Sequence, residues 1–214
     1  MASTMIHVAV ASELNKKLKR NPRDLFVGTI APDVAKLVGL DKSVTHFSTP
    51  EDDNMPHLNE FLVKYLNNFD DDFVLGYYIH LYVDYLWFKY FMSELVHDDE
   101  SYVLDIHGNK IYYDDEYEMF HKYIYDDYTN LNVQLVDEYN IDLTPFYDAT
   151  LDFKKIVSEC PMDKLDVLIK NMSNIIMKSK EKKPFSFNIK NVKKFIETSL
   201  EIIENDLKEL GVNI

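Results

Sequence analysis

Five side chains in the N-terminal half of this sequence are of the kinds that bind a metal ion: His7, Asp33, His46, His80 and Asp84. Two of them sit inside GYYIHLYVDYLWFKY, residues 76–90, the most apolar stretch of the chain. His80 and Asp84 are four residues apart, so on a helix they share a face one turn apart. Gly76 lies one turn before them on the same stripe, and its missing side chain lets another segment come near the backbone below His80. An ionised aspartate in apolar surroundings is costly unless it is paired or bound to a cation. For this pair alone, a His–Asp hydrogen bond locking two helices is as good an account as a metal.

The other three residues shift that balance. His7 interrupts an otherwise apolar helical pattern in MIHVAVASEL, Asp33 lies in GTIAPDVAK between apolar segments, and His46 lies in SVTHFS. Each has an ordinary reading: a core histidine, a helix cap after proline, a surface loop. Together they offer three imidazoles and two carboxylates. Cys160 is the single cysteine, so neither a disulfide nor a cysteine-based zinc cluster can form within the chain. A nitrogen and oxygen donor set of this kind suits zinc where thiolates are absent.

The pieces MIHVAV, GTIAPDVA, THF and GYYIHLYVDYLW, in that order, resemble the zinc-dependent phospholipase C family and, more distantly, the fungal zinc nucleases of the same helical fold. The resemblance covers roughly residues 1–96; the second half has no motif that matches. It implies an all-α domain holding a cluster of zinc ions. One zinc would be held by Asp33, His46, His80 and Asp84, and Asp84 would bridge to a second that also takes His7. The implied activity is hydrolysis of a small phosphoester or a phospholipid by zinc-activated water. Asp33 would be catalytic as well as a ligand, orienting that water. The sequence departs from the family in two ways. Family members complete a site with the processed N-terminus, whereas six residues precede His7 here and no signal peptide is legible. They also carry a later His, His and Glu set for a third zinc. Tyr90 stands where the first of these would fall, and no His-x3-Glu follows. The third site is therefore lost, or rebuilt from His121, Asp126 and Asp127 in FHKYIYDDY, which otherwise read as a solvated helix face.

Other chemistries compete. Glu94 with His97, and Glu118 with His121, are Glu-x-x-His pairs, the spacing of carboxylate-bridged di-iron proteins. An acidic helical interaction module with a structural metal is a non-enzymatic alternative. VHDDE holds the His-Asp dipeptide of another phosphohydrolase class, but at a predicted helix end rather than inside a helix.

These residues need elements to position them. Five glycines in 214 residues and 46% hydrophobic residues favour helices around a sizeable core. Helices are predicted at 4–19, on either side of a turn at Pro32-Asp33, at 57–68, 71–97, 114–139, 162–179 and 189–210. His46 falls in a predicted loop, and a small hairpin is predicted near 102–113. The expected architecture is all-α: a single multi-helix domain spanning 1–214, with its motifs in 1–96 and the helices of 114–210 completing the core. The net charge of −14 opposes tight nucleic-acid binding and anionic membranes. The longest apolar stretch, 73–92, is broken by His80, Asp84 and Lys89, so no transmembrane segment is expected. The N-terminal composition points to a cytoplasmic protein.

Overall fold

The computed structural model describes residues 2–49, 55–119, 123–147, 152–177 and 183–214. The fold is mostly helical with a small antiparallel sheet. Helix α1 (Thr4–Leu18) is started by Ser3, whose hydroxyl accepts from the Ile6 amide, and ends at Lys19 in the left-handed conformation. Asn21 caps α2 (Pro22–Ile30), with Pro22 in the first turn. Pro32 lies in a single 3-10 turn, Ala31–Asp33, which leads into the short α3 (Val34–Val38). Asp41 caps α4 (Lys42–His46). Helix α5 (Leu58–Tyr65) precedes α6 (Asp72–Leu86), whose first amides are taken by the Asp71 carboxylate.

Helix α6 is the axis of the fold, and twelve of its fifteen residues are buried. Its tightest neighbour is α2. A Cβ on Gly76 would lie 2.1 Å from the Leu25 carbonyl oxygen, and one on Gly28 would lie 2.1 Å from the Phe73 carbonyl oxygen. Each glycine thus removes the atom that would hold the other helix away, and the two backbones meet directly. The segment that Gly76 admits is α2. On the flank of α6 nearer α5, Phe61 stacks on Tyr77 with centroids 5.4 Å apart. Each fully buried side chain of this size contributes roughly 1.5–3 kcal/mol by leaving water.

Beyond Leu86 the predicted long helix changes form. Residues Trp87–Met92 make a π-helical turn, and α7 (Ser93–Leu95) is one short turn more. Trp87 is fully buried; its ring stacks on Phe91 at 3.9 Å and meets Phe195 edge-on at 4.9 Å. The chain then enters a three-stranded antiparallel sheet in the order β1 (Val96–His97), β2 (Tyr102–Leu104), β3 (Lys110–Tyr112). The predicted hairpin is β2–β3, with Val103 opposite Ile111. Strand β1 is two residues long, too short for any alternation to mark it in the sequence.

The C-terminal half adds α8 (Glu116–Met119), α9 (Tyr125–Tyr139), α10 (Leu165–Met177) and α11 (Ile189–Glu209). Asn188 and Asn191 form a reciprocal cap at the start of α11. Gly211, at φ 84°, ends it. Among the described residues, no helix is long and apolar enough to cross a membrane.

Candidate metal centre

The five residues picked out in the sequence come from four places: His7 from α1, Asp33 from the 3-10 turn, His46 from the last turn of α4, and His80 and Asp84 from α6. The fold brings them together. His7 Nε2 lies 3.2 Å from Asp84 Oδ1. His80 Nε2 and His46 Nε2 lie 3.5 and 3.7 Å from Asp84 Oδ2. The two Nε2 atoms are 3.2 Å apart, and His46 Nε2 is 3.8 Å from Asp33 Oδ1. The His7 and His80 rings stack with centroids 3.8 Å apart. His7, His80 and Asp84 are fully buried, His46 is nearly so, and the Asp33 side chain is 18% exposed.

His46 and His80 are braced by backbone carbonyls. His80 Nδ1 is 2.7 Å from the Thr29 carbonyl oxygen, in the last turn of α2, where carbonyls lack helical partners. His46 Nδ1 is 3.0 Å from the Lys42 carbonyl oxygen. A carbonyl only accepts, so both Nδ1 atoms carry hydrogen, and a neutral ring then keeps its lone pair on Nε2. The His80 contact depends on the close approach of α2 at Gly76. The Thr45 hydroxyl donates to the Pro32 carbonyl, and the Tyr77 hydroxyl donates to the Thr45 carbonyl, tying α4 to the Asp33 turn and to α6. Asp33 is positioned as the cap of α3, yet its side chain makes no capping hydrogen bond. The carboxylate is turned towards His46 instead.

The electrostatics are those of an electron-rich pocket. Burial, then the neighbouring His80, pushes His7 below its ordinary value. The same two influences take His46 down to about 3. Burial opposes ionisation of Asp84, but His7 and His80 beside it hold its carboxyl well below the usual range. Burial likewise opposes ionisation of Asp33, and His80 and Lys42 outweigh it. Ionised carboxylates beside neutral His7 and His46 describe the centre at neutral pH. The Nε2 atoms of His46 and His80 face one another at 3.2 Å, and both face a carboxylate oxygen of Asp84. His7 Nε2 meets Asp84 Oδ1 at 3.2 Å without a well-directed hydrogen bond, His7 Nδ1 and Asp84 Oδ2 have none, and Asp84 Oδ1 accepts from the Ala2 amide at 2.8 Å. Buried polar atoms left this way are uncommon, and a bound cation is one partner that would satisfy them.

The spacing fits one. A tetrahedral ion with bonds near 2.1 Å separates its ligand atoms by roughly 3.3–3.6 Å. The separations of 3.2, 3.5 and 3.7 Å among His46, His80 and Asp84 Oδ2 bracket that figure, and Asp33 Oδ1 lies a little farther out, 3.8 Å from His46 Nε2. By proximity the five fall into two triads, Asp33–His46–His80 and His7–His80–Asp84, which share His80. His80 has only Nε2 to give, because Nδ1 is committed to Thr29. Asp84 lies between the triads, with Oδ1 towards His7 and Oδ2 towards His46 and His80.

The remaining expectations fare differently. His46 lies in a helix rather than the predicted loop, because Asp41 caps a five-residue turn inside a polar stretch. Asp127 is buried, not on a solvated face, and its carboxylate accepts from the amides of Phe185, Ser186 and Phe187 at 2.8, 2.7 and 3.0 Å. Those bonds occupy it, so it is not available to rebuild a third metal site. Asp126 is exposed on the same helix, and His121 lies outside the described residues. The Glu94–His97 pair does not form a helical ligand set: Glu94 is exposed, and His97 is in a strand with its ring stacked on Tyr102. Sequence reasoning missed the bracing residues Thr29, Thr45 and Tyr77. The signal for Thr29 and Tyr77 was a polar group inside an apolar run.

No protein-family model, curated protein or solved structure matches the chain.

Proposed function

We propose that this chain is a zinc-dependent hydrolase of a small phosphoester, the activity that its resemblance to the zinc-dependent phospholipases C implies. The observation that carries the reading is the confrontation of the His46 and His80 Nε2 atoms at 3.2 Å beside Asp84, with each Nδ1 held by a backbone carbonyl. Such an arrangement is repulsive for neutral rings and becomes favourable around a cation. Asp33, His46, His80 and Asp84 Oδ2 would hold one zinc; His7 and Asp84 Oδ1 would contribute to a second. The ions would supply Lewis acidity, lowering the pKa of water towards neutrality and offsetting charge on a phosphate oxygen. The protein's own contribution is orientation. Thr29 and Lys42 fix the rings by their carbonyls, α1 and α6 exclude water behind them, and Asp33, at the solvent border, is placed to orient the attacking water. With only two ligands from this chain, the His7 position keeps coordination open for substrate. A phospholipid in an anionic membrane is disfavoured by the charge of −14.

A second reading, a structural zinc in an acidic helical interaction module, is favoured by the burial of His46, His80 and Asp84. Four closed ligands are the pattern of structural sites. Metal analysis of protein purified without chelator, together with hydrolysis of a nitrophenyl phosphodiester, separates the readings. The hydrolase reading expects about one to two zinc equivalents and turnover that is lost in Asp84→Ala and reduced in His7→Ala. Zinc without turnover leaves the structural reading. No metal after zinc is supplied sinks both.

A further inference from the structure

The centre has one flank that reaches solvent, and a cation stands there. Asp33 is the ligand with measurable exposure, and the Lys42 ammonium lies 3.8 Å from its Oδ1 with the lysine side chain 29% exposed. Lys42 is also the residue whose carbonyl fixes the His46 ring. Its backbone is therefore tied to a ligand while its charge sits at the border of the site. In the metal-free chain the ammonium and the Asp33 carboxylate are loosely paired, too far apart for a strong hydrogen bond.

That pairing changes once Asp33 serves a divalent ion. The carboxylate's charge is then shared with the metal, and with both ions in place the two aspartates would leave the centre at a net charge of about +2, with Lys42 beside it and its partner weakened. Two positive groups in one partly buried place repel unless an anion joins them. A phosphate has oxygens for both. We propose that Lys42 is the substrate-binding residue of this centre, holding the non-bridging oxygens of a phosphate whose ester bond faces the metal ligands. The inference rests on the hydrolase reading above and specifies it: the substrate is a phosphoester that brings an anionic phosphate to the Asp33 flank. The centre itself is buried, so the phosphate must be terminal or on a small molecule to reach it; the interior of a long polymer would not fit.

Lys36 gives a built-in control. It lies one turn beyond Asp33 on α3 and is exposed, but its ammonium sits over the Tyr125 ring at 5.6 Å. Removing it changes the net charge as much as removing Lys42 does, without touching the Asp33 flank.

The test is titration of inorganic phosphate into the zinc-loaded protein by calorimetry, beside zinc affinity measured separately, for wild type, Lys42→Gln, Lys42→Arg and Lys36→Gln. A charge-assisted contact of this kind predicts a phosphate affinity roughly tenfold or more weaker in Lys42→Gln. Zinc stoichiometry should be unchanged, Lys42→Arg should recover most of the loss, and Lys36→Gln should match wild type. Unchanged phosphate affinity in Lys42→Gln, with tighter zinc binding, would make Lys42 only the counter-ion of Asp33 and overturn the proposal. Zinc binding by wild type without phosphate binding also overturns it while leaving the metal reading intact. No zinc binding removes both, and the separate zinc titration identifies that case.

Discussion

Asp84 and Asp127 are both buried aspartates on long helices, and they are satisfied in opposite ways. Asp127, on α9, receives three consecutive backbone amides from the segment that leads into α11. Asp84, on α6, receives one amide, from Ala2, and is otherwise surrounded by imidazoles, with Oδ2 lacking a hydrogen bond. The first carboxylate is complete within the protein: its charge is spread over donors that have no other partner. The second is incomplete at Oδ2, and so is the His7 ring beside it. A buried acid with amide donors is a fastener; a buried acid ringed by imidazoles is, under the proposed function, a receptor for a cation.

Breaking the fastener should cost most. Asp127→Ala strands three amides against buried Ser186 and Phe187, so unfolding in urea should show a loss of about 3–5 kcal/mol, the same with or without zinc. A loss that zinc reverses would make Asp127 a member of the metal centre and erase the contrast.

Asp84→Asn should behave the other way. Its amide can still accept from Ala2 and can donate to a ring nitrogen, so the metal-free variant should lie within about 1 kcal/mol of wild type. Zinc in hundredfold excess over its dissociation constant should stabilise wild type by about 2.7 kcal/mol, and this increment should vanish in the variant. Equal unfolding of Asp84→Asn with and without metal, far below wild type, would return the pair to a structural role.

Acid sharpens the comparison further. His46 titrates near 6.5 when unfolded and at about 3 in the fold, and His7 is also shifted down. Between those values the unfolded chain binds protons that the folded chain does not, so stability rises with pH there and is lost as pH falls from about 6.5. Metal-free protein should therefore lose up to about 1.4 kcal/mol per pH unit for such a histidine between pH 6 and 4. A flat melting temperature across that range would mean the rings are already charged in the fold. The smallest effect sets the baseline: Lys17→Ala breaks the ion pair with Glu204, whose lysine is 59% exposed, and should cost about 0.5 kcal/mol or less.

The contrast also separates what was legible in the sequence from what was not. The donor set could be read because His7, His80 and Asp84 break apolar patterns and Asp33 and His46 stand in short motifs between them, and the helices could be read from scarce glycine and long runs rich in apolar residues. The all-α class followed from the same signals. Asp127 misled because an acid next to Asp126 in FHKYIYDDY reads as surface. Its partners are backbone amides 58–60 residues away, and an amide has no letter in a sequence. The helical setting of His46 was hidden for a similar reason: a five-residue helix shows little more than one turn of periodicity, and only the Asp41 cap marks it. The π-helical turn after Leu86 left no trace in the pattern, since Trp87, Phe91 and Met92 suit an α-helical stripe equally well.

The crossing of α2 and α6 has a consequence for motion. At the two glycines the backbones touch, so at those points there is no side chain that could disengage singly by a rotamer hop. The seam is either seated or open. Since the Thr29 carbonyl that orients His80 lies on one side of it and His80 on the other, a bound ion would sense that single event rather than the wandering of individual ligands. Release of metal should then keep time with opening of the seam, and the amide protons of α2 and α6 should exchange with solvent on the same clock.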